Sequence, residues 1–178
     1  ETIHAIGAST RPRAVEGSYM SCFLAGATQG QALAQVLNVP FYSFSHQEGH
    51  LASAAWSAGK LELLEAPFLA WHLSGGTTEL LLVEPGENGV SLQTEILGGT
   101  SDLSAGQLID RTGVLLGLPF PAGKALDALY NRADTSAPYR VKRNGLTFSL
   151  SGMENQVKGL LEAGETPAEI ARFTLDTI

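Results

Sequence analysis

The chain contains one cysteine, Cys22, which excludes an internal disulfide framework and a multi-cysteine zinc site. It has no apolar run near the ~20 residues that a bilayer span requires, and no basic-then-apolar opening of an export signal. A cytoplasmic protein with no membrane partner is therefore the expectation. Positive charge is scarce too: 11 Lys and Arg stand against 18 Asp and Glu, a net charge of −7. Residues 1–100 hold three basic and nine acidic side chains, and residues 101–178 hold eight and nine. Such a surface repels phosphate backbones, which argues against a strong, autonomous nucleic-acid binder. There is no initiator methionine, a strand-like run starts almost at once, and the last residues still read as helix. Both ends look cut from something longer.

What is present suffices for a real core. The 178 residues are 44% hydrophobic and 16% charged, enough for one ordinary domain or two small ones. Strand-like runs fall at 3–6, 41–44, 68–73, 78–84, 90–96 and 148–150, with a turn at 86–89 and polar loops at 8–17 and after residue 132. Helical spacing covers 18–37, 46–58, 102–116 and 124–132, and the first of these stops at Asn38 and Pro40. Small residues Gly26, Ala27 and Gly30 predict close packing of that helix, with Cys22 buried inside it. Ser45/Glu48, Ser151/Glu154 and Thr166/Glu169 each have the spacing of a capping box. His4 and His72 read as strand core or edge residues, and Trp56 and Trp71 as packing residues. The pattern is a single mixed α/β unit with no repeat or linker and an insertion after residue 132.

Several constellations bear chemistry. His46-Gln47-Glu48-Gly49-His50 places two imidazoles four apart, on one face of a helix's first turn, where they can share one metal ion. Glu48 falls on the opposite face, unlike the base of the metalloprotease H-E-x-x-H. Two solvent-facing histidines are the alternative. Ser74-Gly75-Gly76-Thr77-Thr78 joins two strands, either as an ordinary glycine hairpin or as a concave anion or nucleotide site. It lacks the lysine and following helix of a P-loop. Asp110 lies on a helix just before a Gly117–Gly123 turn and can accept ribose hydroxyls, or simply pair with Arg111 or Lys124. Asp127 follows on the next helix. Tyr139-Arg140-Val141-Lys142-Arg143 is the dense basic run, open to phosphate contact or mere solvation.

The motifs at 41–50, 73–83, 97–123 and 148–157, in that order, resemble the tRNA threonylcarbamoyladenosine synthase family. These are the TsaD/Gcp-like transferases, once named O-sialoglycoprotein endopeptidases or glycoproteases. The resemblance implies an actin-like ATPase (ASKHA) fold built from ribonuclease-H-like halves. Here that fold would be partial, with a lobe division near 100–132 and the family's N- and C-terminal regions absent. It implies transfer of a threonylcarbamoyl group from its adenylate to N6 of adenosine 37 in tRNA. By position, His46 and His50 would ligate one divalent ion, iron or zinc, with a distant aspartate as third ligand. His72, Leu73, Ser74, Gly75, Gly76 and Thr77 would line the site for the adenylate or ATP. Asp110 would hold the ribose, Gly123 would pack on the nucleotide, and Asp127 matches a position acidic in many members.

The chain also departs from the family. Ser9-Thr10-Arg11-Pro12-Arg13-Ala14-Val15-Glu16-Gly17 replaces a Gly-Pro-Gly-rich loop, and Thr77 replaces a histidine. Gly99, Leu103 and Gln107 stand where glutamate, aspartate and glutamate are usual. Binding of tRNA would then need the absent regions or partner proteins. Partial lobes would expose apolar surface and favour a homo-oligomer. A metalloprotease and a non-catalytic scaffold of the same fold are the competing readings.

Overall fold

The computed structural model describes residues 2–86, 92–133 and 140–178. It is mixed α/β and divides into two compact units, Glu1–Ala70 with Leu82–Glu95, and Trp71–Leu81 with Ile96–Ile178. No helix among the described residues is long and apolar enough to cross a membrane.

The first unit is built on a strand–helix–strand repeat. Strand β1 (Ile6–Arg11) pairs in parallel with β2 (Phe41–Ser45), Ile6 opposite Phe41 and Arg11 opposite Ser45, with an irregularity between Ser9 and Arg11. Helix α1 (Ser21–Leu37) connects them and closes on Asn38 in the left-handed conformation, as its sequence predicts. Of the small residues Gly30 serves the packing expected of it, since a Cβ there would stand 2.7 Å from the Phe41 ring, whereas Gly26 is exposed. The residues α1 turns inward are Phe23, Ala27, Gly30 and Ala34, at helical spacing. Cys22 lies about 100° off that stripe and is exposed, correcting the expected burial. Leu24, Leu33 and Val36 are exposed for the same reason, and Met20 and Leu37 are exposed at the ends of the helix. Helix α2 (His46–Ser57) follows β2 directly, and a short 3₁₀ turn covers Leu61–Glu65. Trp56, expected to pack, is 71% exposed, and His4 lies in irregular chain before β1.

Strands β3 (Phe68–Leu73), β4 (Thr78–Pro85) and β5 (Leu92–Thr100) form a sheet completed by β6 (Arg143–Asn144) and β7 (Thr147–Phe148), in the order β3-β4-β5-β7-β6. β7 runs parallel to β5, with Gly99 opposite Thr147 and Thr100 opposite Phe148. The division between the units falls within β3, β4 and β5. In the second unit, helices α3 (Ala105–Leu115), α4 (Gly123–Tyr130), α5 (Ser151–Glu162) and α6 (Pro167–Thr177) pack on one another. Leu108, Leu150 and Met153 form the core there, flanked by Leu103, Val141, Phe148 and Phe173. A Cβ at Gly113 would stand 2.1 Å from that of Ala122, so α3 and the start of α4 meet with only the Ala122 methyl between them. Trp71 packs edge-on against Phe148 yet remains 55% exposed.

Several elements differ from the sequence pattern. Strand β1 covers Ile6–Arg11, where residues 3–6 read as strand and 8–17 as loop. Helix α3 starts at Ala105, not 102, because Ser104 is its cap: Ser104 and Gln107, three residues apart, form a reciprocal box. The Ser151/Glu154 box does not form. Leu150 occupies the cap position of α5, and Glu154 instead binds Arg111 at 2.7 Å and Lys158 at 2.8 Å. The Thr166/Glu169 box forms as expected, with Pro167 opening α6. Most of the turn predicted at 86–89, the opening of the strand predicted at 90–96, and residues 134–139 of the polar loop after residue 132, Tyr139 among them, lie outside the described residues.

Candidate functional site

Ser45 ends β2 and caps α2. Its hydroxyl accepts from the Glu48 amide at 3.1 Å, and the Glu48 carboxylate accepts from the Ser45 amide in return. The other Glu48 oxygen accepts from the Leu92 amide at 3.1 Å. Glu48 is 4% exposed and both its oxygens are committed to main-chain donors. With its first turn so pinned, α2 presents His46 and His50 on its exposed side. Their Nε2 atoms are 3.0 Å apart, the rings meet edge to face, and Phe23 of α1 lies beside His46 with centroids 5.6 Å apart. Two imidazole nitrogens bound to one ion at about 2.0–2.1 Å and subtending roughly 90–110° stand about 2.9–3.4 Å apart. The pair has that separation already. Among the described residues no cluster of three His, Cys, Asp or Glu side chains is placed for a metal, so these supply two ligands and no third.

The remaining predicted residues belong to the second unit. On β3, His72 is half-buried and Leu73 is exposed. The Ser74–Thr77 turn is closed on itself: Ser74 Oγ accepts from the Gly76 and Thr77 amides, at 3.3 and 3.0 Å, and the Ser74 amide donates to the Thr77 carbonyl at 2.8 Å. A successive-amide cradle is therefore not what this turn offers. It offers bare backbone, since a Cβ at Gly75 or Gly76 would meet nothing within 4 Å.

The back of the turn rests on α3. Ser104 Oγ donates to the Gly75 carbonyl at 2.7 Å, and the Ala105 amide donates to Thr78 Oγ1 at 2.7 Å. A Cβ at Gly106 would stand 2.7 Å from Gly75 Cα and from the Ser74 carbonyl oxygen. Asp110 lies four residues beyond Gly106, one turn along the same helix face. It is half-buried, and its Oδ1 accepts from the Ala122 amide at 2.8 Å, immediately before Gly123. Arg111, the alternative partner, is taken by Glu154. The fold thus brings the glycine turn, Asp110 and Gly123 onto one side of α3 and the start of α4. Asp127 is exposed on α4, where its carbonyl accepts from the Asn131 side chain at 3.0 Å. A cleft of about 380 Å³ elsewhere in this unit is walled by Trp71, Leu80, Val141 and Phe148, and of the residues assigned to the adenylate site only Leu73 lines it. Ser104 and Gly106, which carry the turn, had a readable signal: Ser104 stands three before Gln107, the spacing of a capping box.

The profile of one family, TsaD, described as tRNA N6-adenosine threonylcarbamoyltransferase, matches residues 1–176. The chain belongs to the TsaD family. Two relatives, each named tRNA N6-adenosine threonylcarbamoyltransferase, come from two strains of Thermus thermophilus. Each is 36% identical over 157 residues, covering 86% of this chain and 45% of the relative. The chain thus spans about half the length of these relatives. The structure gives Gln107 a capping task that its amide performs as well as a carboxylate would.

Proposed function

We propose that this chain carries two parts of a tRNA threonylcarbamoyl transferase, on an actin-like framework. One is a histidine pair for a divalent ion. The other is an adenylate-binding surface on the glycine turn, Asp110 and Gly123. The observation that carries the reading is the 3.0 Å convergence of the His46 and His50 Nε2 atoms above a fully satisfied capping box. The reaction is transfer of a threonylcarbamoyl group from its adenylate to N6 of adenosine 37 of tRNA. Recognition of the tRNA rests on regions or partner proteins beyond this acidic chain.

His46 and His50 would hold the ion, iron or zinc, as neutral imidazoles. When bound, a divalent ion supplies Lewis-acid polarisation of an acyl oxygen. The chain's own residues supply orientation. The bare Gly75-Gly76 backbone admits close approach of the adenylate, and Asp110 accepts from the ribose through the carboxylate oxygen that the Ala122 amide leaves over. Asp110 then holds one end of the ligand and the turn the other, which fixes the acyl donor for attack by the adenosine amine. No nucleophilic side chain is needed. The glycoprotease alternative lacks a base, because Glu48 is buried against the Ser45 and Leu92 amides.

Calorimetric titration of AMP into the purified chain tests the surface. Asp110→Ala is expected to weaken AMP at least ~10-fold, about 1.4 kcal/mol. Equal affinity in the variant would remove Asp110 from the site.

A further inference from the structure

Nothing above gives Asp102 a task. It lies at the surface, yet four donors converge on its carboxylate. Oδ1 accepts from the Leu103 amide at 2.6 Å, the Leu150 amide at 2.9 Å and the Thr100 hydroxyl at 3.2 Å. Oδ2 accepts from the Ser149 hydroxyl, which is itself 3.1 Å from the Ser151 hydroxyl. Beside it the Ser101 amide donates to the Phe148 carbonyl at 2.8 Å. Residues 100–103, leading into α3, are thereby stapled to residues 148–150, leading into α5.

The next three residues are those that carry the glycine turn. Ser104 holds the Gly75 carbonyl, Ala105 holds Thr78, and Gly106 lets the two backbones touch. We propose that Asp102 is a positioning residue for the Ser74–Thr77 turn: it anchors the start of α3 to the β7–α5 junction, and α3 in turn fixes where the turn stands. Charge supports this geometry. Desolvation pushes the Asp102 carboxyl up, but hydrogen bonds from Ser149, the Leu150 amide, Ser151 and the Leu103 amide together outweigh it. The group is held well below the usual carboxylate range, so it remains an ionised acceptor for all its donors at neutral pH. The staple is intrinsic to this unit; that the turn receives an adenylate rests on the function proposed above.

Residue-resolved hydrogen exchange of the Gly76 and Thr77 amides tests the assignment. Both are hydrogen-bonded only while the turn keeps its shape. In Asp102→Ala their exchange is expected to accelerate about 10-fold through local opening, with Asp102→Asn, which keeps acceptors for the two amides, falling between. Val157→Ala, which opens a cavity at a fully buried site in α5, is the control: it lowers the melting temperature and leaves these two amides at the native rate. Native exchange in Asp102→Ala overturns the proposal. If that variant does not fold, Ser149→Ala replaces it, with acceleration supporting the assignment and a native rate rejecting it. AMP titration of the same variants separates the two levels. If the native chain takes no AMP, the nucleotide reading of the turn fails, while the exchange rates still decide the role of Asp102.

Discussion

Gly106→Ala abolishes the seat of the glycine turn. The added methyl would lie 2.7 Å from Gly75 Cα and the Ser74 carbonyl oxygen and 3.0 Å from the Gly75 nitrogen, all main-chain atoms that cannot swing aside. Either α3 withdraws or the turn is displaced, and each breaks the Ser104–Gly75 and Ala105–Thr78 hydrogen bonds. Overpacking of this kind costs about 1–3 kcal/mol, and losing one or both hydrogen bonds adds ~1 kcal/mol each. Denaturant unfolding is therefore expected to show a loss of roughly 2–5 kcal/mol. AMP affinity in the remaining folded protein falls at least ~10-fold. Gly123→Ala makes a useful contrast, because its methyl would meet only Ile109 Cγ2 at 3.9 Å, an ordinary contact. A Gly106→Ala protein with native stability and native AMP affinity would mean that α3 does not position the turn.

Glu48→Ala is the second large effect, and it distinguishes a structural carboxylate from a catalytic one. Removing Glu48 leaves the buried Ser45 amide and the half-buried Leu92 amide without acceptors. Hydrogen bonds to a charged acceptor contribute about 1.5–3 kcal/mol each, so a loss of roughly 3–5 kcal/mol is expected in urea unfolding. Glu48→Gln retains one acceptor oxygen and recovers part of it. A Glu48→Ala chain as stable as the native one, with a change confined to peptide cleavage, would restore the protease reading.

The parts of this molecule that are local in sequence were legible. The box at Ser45 and Glu48, the stop at Asn38, the two-histidine face of α2 and the box at Thr166 follow from spacings of three and four residues, and all are present. What spacing could not supply is competition between distant residues. Glu154 has the right offset from Ser151 to cap it, but Arg111, 43 residues away, takes its carboxylate. Cys22 sits in an apolar helix, yet the face that meets β1 and β2 is set by Gly30 and Phe41. Leu24, Leu33 and Val36 also lie off that stripe and remain in water.

The site divides in the same way. The residue types of the histidine pair, the glycines and Asp110 could be read off the chain. The inward use of the Gly76 and Thr77 amides is local, satisfied by the Ser74 hydroxyl, but the reliance of the turn on Ser104 and Gly106 depends on contacts between segments about 30 residues apart. Asp102 is the extreme case. It reads as a surface carboxylate, and its partners Ser149 and Leu150 stand 47 and 48 positions downstream.

The most direct test of the account is zinc binding by the native chain against His46→Ala and His50→Ala, followed by equilibrium dialysis at neutral pH with unfolding monitored alongside. The account predicts one zinc per native chain, an affinity loss of about 100-fold or more in either variant, since even outer-shell losses cost 10–100-fold, and little change in stability, because both side chains are exposed. Zinc bound equally well by native chain and variants, or not at all by the native chain, would contradict it.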